Sequence, residues 1–215
     1  VNLNLYEFMK KFNDSLVAAK KYGFLIEPAY FEQGLHDDPI VRVRQTVLEM
    51  LEKARKTLPK NWNFKIWDGF RTTVVQQRLY DDLYKKLVQE NPEWTHEKLH
   101  ESVLGFVAEP TKDPLVAAPH NTGGAVDLTI VDENEEELSM GTAFDHFDKE
   151  SYTFHFQNAA PGTPEYDFHK NRMILYEVLV PLGFFNYPDE WWHFSYGDKE
   201  WAKHYDKQIL YKSAE

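Results

Sequence analysis

The chain contains no cysteine. That absence removes disulfides and every thiolate metal site, so any bound metal must rely on His, Asp and Glu. Long apolar runs are missing too. The longest in the C-terminal half, Val178 to Phe185, is interrupted by Pro181 and far too short to span a bilayer, so no membrane partner is expected. Positive charge is outweighed: 35 Asp and Glu face 24 Lys and Arg, for a formal net charge of −11, and since phosphate backbones demand clustered Lys and Arg this disfavours nucleic acid as a partner. There is no internal repeat, low-complexity tract or long linker, and the 215 residues read as one domain over 1–215 with room for one sizeable core. The opening VNLNLYEFMKKFNDS lacks the basic-then-apolar layout of a signal peptide, and it lacks an initiator Met, which fits a trimmed start. A cytoplasmic protein is the expectation, with a periplasmic or exported one as the alternative if an N-terminal signal was removed. Nothing in the composition bears on oligomeric state.

What is present is a folded, aromatic-rich chain: 42% hydrophobic and 15% aromatic residues argue against disorder. Apolar spacing predicts a helix over LYEFMKKFNDSLVAAKKYG, closing on Gly23, and a second over DPIVRVRQTVLEMLEKARKTLP, entered by Asp38-Pro39 and stopped by Pro59. NFKIWDGF reads as a short strand. TTVVQQRLYDDLYKKLVQE reads as a helix capped by Thr72 or Thr73. TKDPLVAAPHNTGG is a loop, and AVDLTIV alternates as a strand with Val126, Leu128 and Ile130 on one face and Asp127 and Thr129 on the other. TPEYDFHKNRMILYEVLVPLGF is a helix ending near Gly183, and DEWWHFSYG a last strand entered through a turn. Early helices and few, scattered strands predict an α+β fold with a small, largely antiparallel sheet flanked by helices.

Two stretches compete as metal sites. His96-Glu97-Lys98-Leu99-His100 fits H-E-x-x-H, which on a helix puts two imidazoles one turn apart with a glutamate between. Chance produces such a match only about 0.03 times in a chain of this composition. The chemistry around it is poor, however. Lys98 would set an ammonium beside a dication, and Glu93, Glu97, Lys98 and Glu101 make a wet helix face. The rival is PHNTGGAVD with EWWH. His120 stands in a Gly-rich loop feeding the strand that carries Asp127, and the tight Gly123-Gly124 turn lets the two converge. His193 offers a third ligand, and Glu190, three residues earlier, lies close enough to reach water at the metal. A His2Asp set leaves the fourth tetrahedral position open, as catalytic zinc requires.

His120-x6-Asp127 followed by Glu190-Trp191-Trp192-His193 resembles the zinc D-alanyl-D-alanine peptidases, most closely the VanX-type D-alanyl-D-alanine dipeptidases. WDGFR at 67–71, GGAVDLT, and MGTAFD at 140–145 extend the likeness from about Asp68 to Phe194. HEKLH has no counterpart in that pattern. The resemblance implies a fold like that of the DD-peptidases and the Hedgehog signalling domain. It also implies one Zn2+ per chain held by His120, Asp127 and His193, and Glu190 as general base. Arg71 would stabilise the oxyanion, and Asp145 would bind the ammonium of a small dipeptide. On its own, Arg71 would read as a surface ion pair and Asp145 as a turn aspartate. Two positions depart from the pattern. Thr72 replaces the usual proline after the arginine, and Ala118 replaces a serine two residues before the first histidine, which puts the preferred dipeptide in doubt. The expected activity is hydrolysis of D-Ala-D-Ala or a relative to free amino acids. The alternatives are a carboxypeptidase or endopeptidase of the same clan acting on longer peptidoglycan stem peptides, and a non-catalytic zinc-bearing binding module.

Overall fold

Residues 14–111, 113 and 116–215 are described by the structure, a computed structural model. Its first described stretch follows alternation rather than helical spacing. Leu16–Ala18 (β1) pairs antiparallel with Arg42–Arg44 (β3), Val17 facing Val43. Only Ala19–Tyr22 coils, as one 3-10 turn ended by Gly23 in the left-handed region, φ 77°. The helix expected to close on Gly23 is therefore absent over 16–18; its earlier part, 5–13, lies outside the described residues. The helix expected from Asp38-Pro39 also starts late, at Gln45–Arg55 (α2). Both corrections have one cause. Val41 and Val43 are buried at alternate positions, and β-branched side chains fit a pleated ribbon better than a helix.

The main sheet has five strands in the order β2-β4-β5-β7-β6. They are Leu25–Ile26 (β2), Asn63–Asp68 (β4), Ala125–Val131 (β5), Phe185–Asn186 (β6) and His193–Ser195 (β7). Only β2 runs parallel to its neighbour β4; the other pairings are antiparallel. This is the expected α+β architecture. The strand expected over DEWWHFSYG shrinks to three residues, because the Tyr187 N–H donates to the His193 carbonyl at 3.1 Å and folds the intervening residues into a turn.

One face of the sheet makes the core. Val126, Leu128 and Ile130 join Phe64, Ile66, Leu48 and Leu51 of α2, and Leu175 and Leu179 of Pro164–Leu179 (α5). Each such side chain contributes roughly 1.5–3 kcal/mol of hydrophobic burial. The other face of β5 is buried as well, although it carries Asp127 and Thr129. A carboxylate held away from water is costly unless paired, and that marks where the chemistry lies.

The helices covering that second face form their own cluster. Ala29–Glu32 (α1), Thr73–Glu90 (α3) and His96–Leu104 (α4) pack through Tyr30, Val75, Leu79, Leu83, Val103 and Val107. Thr72 caps α3 as expected, its hydroxyl accepting from the Val75 N–H at 3.3 Å, and Thr95 caps α4. Lys199–His204 (α6), not foreseen in the sequence, is capped by Asp198, which accepts from Glu200 and Trp201. Among the described residues no helix is long and apolar enough to cross a membrane.

A candidate metal centre and its cleft

The site assembles where β4, β5 and β7 lie side by side. Asp127 on β5 is directly opposite His193 on β7, and Asp68 at the end of β4 is opposite Asp127 across a bulge after Ile66. Bulges re-aim side chains at strand ends, and here the bulge turns Asp68 towards the centre. His120 arrives from the 3-10 turn Pro119–Thr122, which ends on Gly123 with φ 71°. A Cβ at Gly123 would come within 2.4 Å of the Leu16 side chain, and one at Gly69 within 2.4 Å of the Arg42 carbonyl oxygen. Glycine is therefore required at both positions, and Gly69 has a second use. Its carbonyl accepts from His120 Nδ1 at 2.7 Å, which fixes that imidazole's tautomer and leaves Nε2 for a ligand. Asn121 Nδ2 donates to the Arg71 carbonyl at 2.7 Å and ties the histidine turn to the arginine loop.

His120 Nε2, His193 Nδ1 and Asp127 are the converging donors. The nitrogens are 3.1 Å apart, Asp127 Oδ2 is 3.3 Å from His120, and Asp127 Oδ1 is 3.0 Å from His193. Donors bonded to one tetrahedral zinc at 2.0–2.1 Å would lie about 3.3 Å apart. The residues fit the metal. All three are buried. Burial by itself would raise the Asp127 pKa, but His120 and His193 outweigh it and hold the carboxyl well below its usual range. Asp127 thus stays ionised, as a ligand must.

Around this trio stand the other expected residues. Glu190 Oε2 is 3.8 Å from His193 Nδ1. Burial, then the negative charge of Asp127, pushes the Glu190 pKa up to about 8. Arg71 Nε is 3.1 Å from Asp68 Oδ2, and its guanidinium lies 5.2 Å from the centre of the Tyr30 ring. Burial works against its charge, but Asp68 and the neighbouring acids more than compensate and keep it protonated. Asp145 sits on a loop at φ 57°, a conformation aspartate tolerates better than most residues. Its pKa is pushed up to about 8 by burial, with Asp127 and Glu190 adding repulsion. All six expected residues line one cavity of about 410 Å³, within the range of small-ligand sites.

Two further residues join the site without a role assigned from the sequence. Asp68, within WDGFR, lies 3.2 Å from His120 Nδ1 as well as against Arg71. Its place three residues before Arg71 was the available signal. The Tyr30 hydroxyl donates to Asp145 Oδ1 at 3.2 Å, and no local pattern announces it.

HEKLH forms a helix, as expected, and among the described residues its side chains do not fall in a group of three ligands that could hold a metal. The Tyr84 hydroxyl is 2.6 Å from His96 Nδ1, Tyr80 pairs likewise with His100 Nδ1, and Lys98 Nζ lies 3.9 Å from the centre of the Trp94 ring. Among the described residues, the buried group of metal-ligating side chains is His120, Asp127 and His193. A second group, His146, Asp148 and Glu150, is exposed.

A buried His2Asp donor set with an adjacent carboxylate and arginine, in an α+β fold, is what a metallopeptidase requires. The sequence profile of the Peptidase M15 family, described as D-ala-D-ala dipeptidase, matches residues 20–212, and the chain belongs to that family. A protein of Synechocystis sp. named D-alanyl-D-alanine dipeptidase is 30% identical over 182 residues, 77% of this chain and 73% of that protein. One of the same name from Enterococcus faecalis is 25% identical over 180 residues, 80% of this chain and 81% of that protein. Among solved structures, the vancomycin resistance D,D-pentapeptidase VanY with Zn(II) aligns over 79% of this chain and 82% of its own, at 18% identity and TM-score 0.48.

Proposed function

We propose that this chain hydrolyses D-Ala-D-Ala, or a closely related dipeptide, to free amino acids, with one Zn2+ held by His120, Asp127 and His193. The observation that carries this reading is the tight set of donor distances, 3.0–3.3 Å, with Glu190 beside it. When bound, zinc supplies a Lewis acid that acidifies water and polarises a carbonyl. The residues do the rest. Glu190, its carboxylate 3.8 Å from His193 Nδ1, takes a proton from the attacking water and delivers it to the leaving amine. Arg71 stabilises the oxygen that gains negative charge; its ion pair with Asp68 holds it in place beforehand, so little reorganisation is needed. Asp145 pairs with the substrate's free ammonium, and Tyr30 orients that carboxylate. Asp68 and the Gly69 carbonyl fix the ring of His120.

A second reading is favoured by the apolar part of the cavity lining. Leu79, Leu83, Phe106 and Phe147 line the same cavity as Asp145, and such side chains suit a longer or bulkier peptide. Hydrolysis of a panel of D- and L-dipeptides and amino-extended stem peptides, with and without chelator, tests both. Chelator-sensitive cleavage of D-Ala-D-Ala above the L-dipeptides supports the first reading. Preference for the extended peptides would replace it with the second.

A further inference from the structure

A free dipeptide is a zwitterion at neutral pH, and Asp145 answers only its positive end. On the dipeptidase reading above, something must answer the carboxylate. Three side-chain cations among the described residues reach the cavity besides the histidines: Arg71, Lys86 and Lys199. Arg71 is buried against Asp68 and Tyr30. Lys86 is on the exposed side of α3, and α3 packs with Tyr30, the residue that holds Asp145. It therefore lies on the same flank as the ammonium anchor.

Lys199 lies on the other flank. The sheet gives the order. Tyr30 follows β2 beside β4, two of the three donors, Asp127 and His193, stand on β5 and β7, and β6 with Phe185 forms the far edge. Phe185 packs on His204 of α6, ring centres 4.7 Å apart, and Lys199 is the first residue of that helix. A peptide with its scissile carbonyl at the centre and its ammonium at Asp145 thus points its carboxylate towards Lys199. The lysine is half-buried, and its Nζ donates to a neutral acceptor, the Val116 carbonyl, at 3.2 Å. That contact closes the cavity wall against the 116–120 loop. There the Ala118 side chain has no hydrogen-bonding group and Pro119 has no N–H. We propose that Lys199 is the residue that recognises the terminal carboxylate of the substrate. Glu200 beside it also lines the cavity and weakens the attraction.

The test compares D-Ala-D-Ala with its C-terminal amide in the zinc-loaded wild type and in Lys199→Met, Lys199→Arg and Lys86→Met. The wild type should prefer the free acid by about tenfold or more in kcat/KM, the size of a half-exposed charge-assisted contact. Lys199→Met should abolish that preference by raising KM for the acid, with kcat within about threefold and zinc content unchanged, the signature of lost uniform binding. Lys199→Arg should keep most of it, and Lys86→Met all of it. A Lys199→Met enzyme that still prefers the acid overturns the assignment, as does loss of the preference in Lys86→Met. Equal cleavage of both compounds by the wild type overturns it too, while the dipeptidase reading stands. Cleavage of neither defeats that reading, and the role of Lys199 with it.

Discussion

Two pairs of histidines divide this molecule. His96 and His100 are neighbours in sequence, one helical turn apart on α4, with a glutamate between them. His120 and His193 are 73 residues apart and meet only because β5 and β7 pair. The first pair is exposed, each Nδ1 facing a tyrosine hydroxyl, and among the described residues no third ligand joins it. The second pair is buried, its nitrogens aim at one point, and a carboxylate held ionised by the two rings completes the set. Local spacing can bring two donors to one helix face. A third donor, dry surroundings and a fixed tautomer need the whole fold. A short motif alone therefore does not make a site.

The comparison breaks most sharply at the ligands. Replacing His120, Asp127 or His193 with Ala should remove the bound metal and lower activity at least about 1,000-fold, because the remaining two donors no longer make an open three-ligand site. Metal analysis beside a dipeptide assay measures both. Full metal content in all three variants would mean that the buried trio is not the metal centre. Next in size is Glu190→Gln, which keeps shape but cannot accept a proton. Turnover should fall at least about 100-fold, in line with general-base contributions, with metal content unchanged. Near-normal turnover in a metal-replete variant would remove Glu190 from the mechanism.

Asp145 sharpens the contrast between a cleft that reads charge and a helix face that does not. Acetylating the substrate amine removes the positive charge and leaves the carboxylate without its partner, so kcat/KM should drop about 100-fold. Asp145→Ala should narrow that gap by harming the free dipeptide. Equal rates for blocked and free dipeptide in the unmutated enzyme would show that the amine is not read, which favours the longer-peptide reading.

The same carboxyls make a smaller prediction about pH. Asp145 and Glu190 are both pushed up to about 8, against roughly 4 in an unfolded chain. Between those values the folded, metal-free protein binds more protons than the unfolded one, so its stability falls as pH rises from about 4 to about 8. Chelator-treated protein should melt about 5 °C or more lower at pH 8 than at pH 5.5. Asp145→Asn with Glu190→Gln should flatten that slope. A metal-free wild type whose melting temperature rises over this range would contradict the burial of the two acids.

Much of the site was legible in the sequence, and the reason is visible in the strands. AVDLTIV alternates, so Asp127 had to lie opposite the core face of β5, and the Gly-rich turn before it had to bring His120 back. WDGFR and EWWH carried Arg71 and His193 through their resemblance to a known family. Tyr30 and Lys199 had no comparable signal, because their proximity to the cleft depends on how α1 and α6 pack. The N-terminal region misled for a different reason. Apolar residues in VAAKKYG satisfy a helical period, but Val17 gains more by pairing with Val43 across the β1–β3 ribbon, a long-range choice that spacing does not encode.

The smallest expected effect returns to the exposed pair. If His96 and His100 serve to clasp α4 onto α3, replacing both with Ala removes two hydrogen bonds, to Tyr84 and Tyr80. Each such bond contributes roughly 0.5–1.5 kcal/mol, and exposure places these at the low end. For a chain of this size that total lowers the melting temperature by about 2–4 °C. The loss should be local, because Tyr80 and Tyr84 remain stacked at 6.2 Å and the apolar contacts of Leu83 and Val103 are untouched. Metal content should stay at the wild-type level and dipeptide turnover within about twofold, the range of surface substitutions. Thermal melts, metal analysis and turnover on the double variant separate the two roles. A small loss of stability with the metal retained identifies the pair as a clasp, whereas loss of metal and activity would move the active centre to α4.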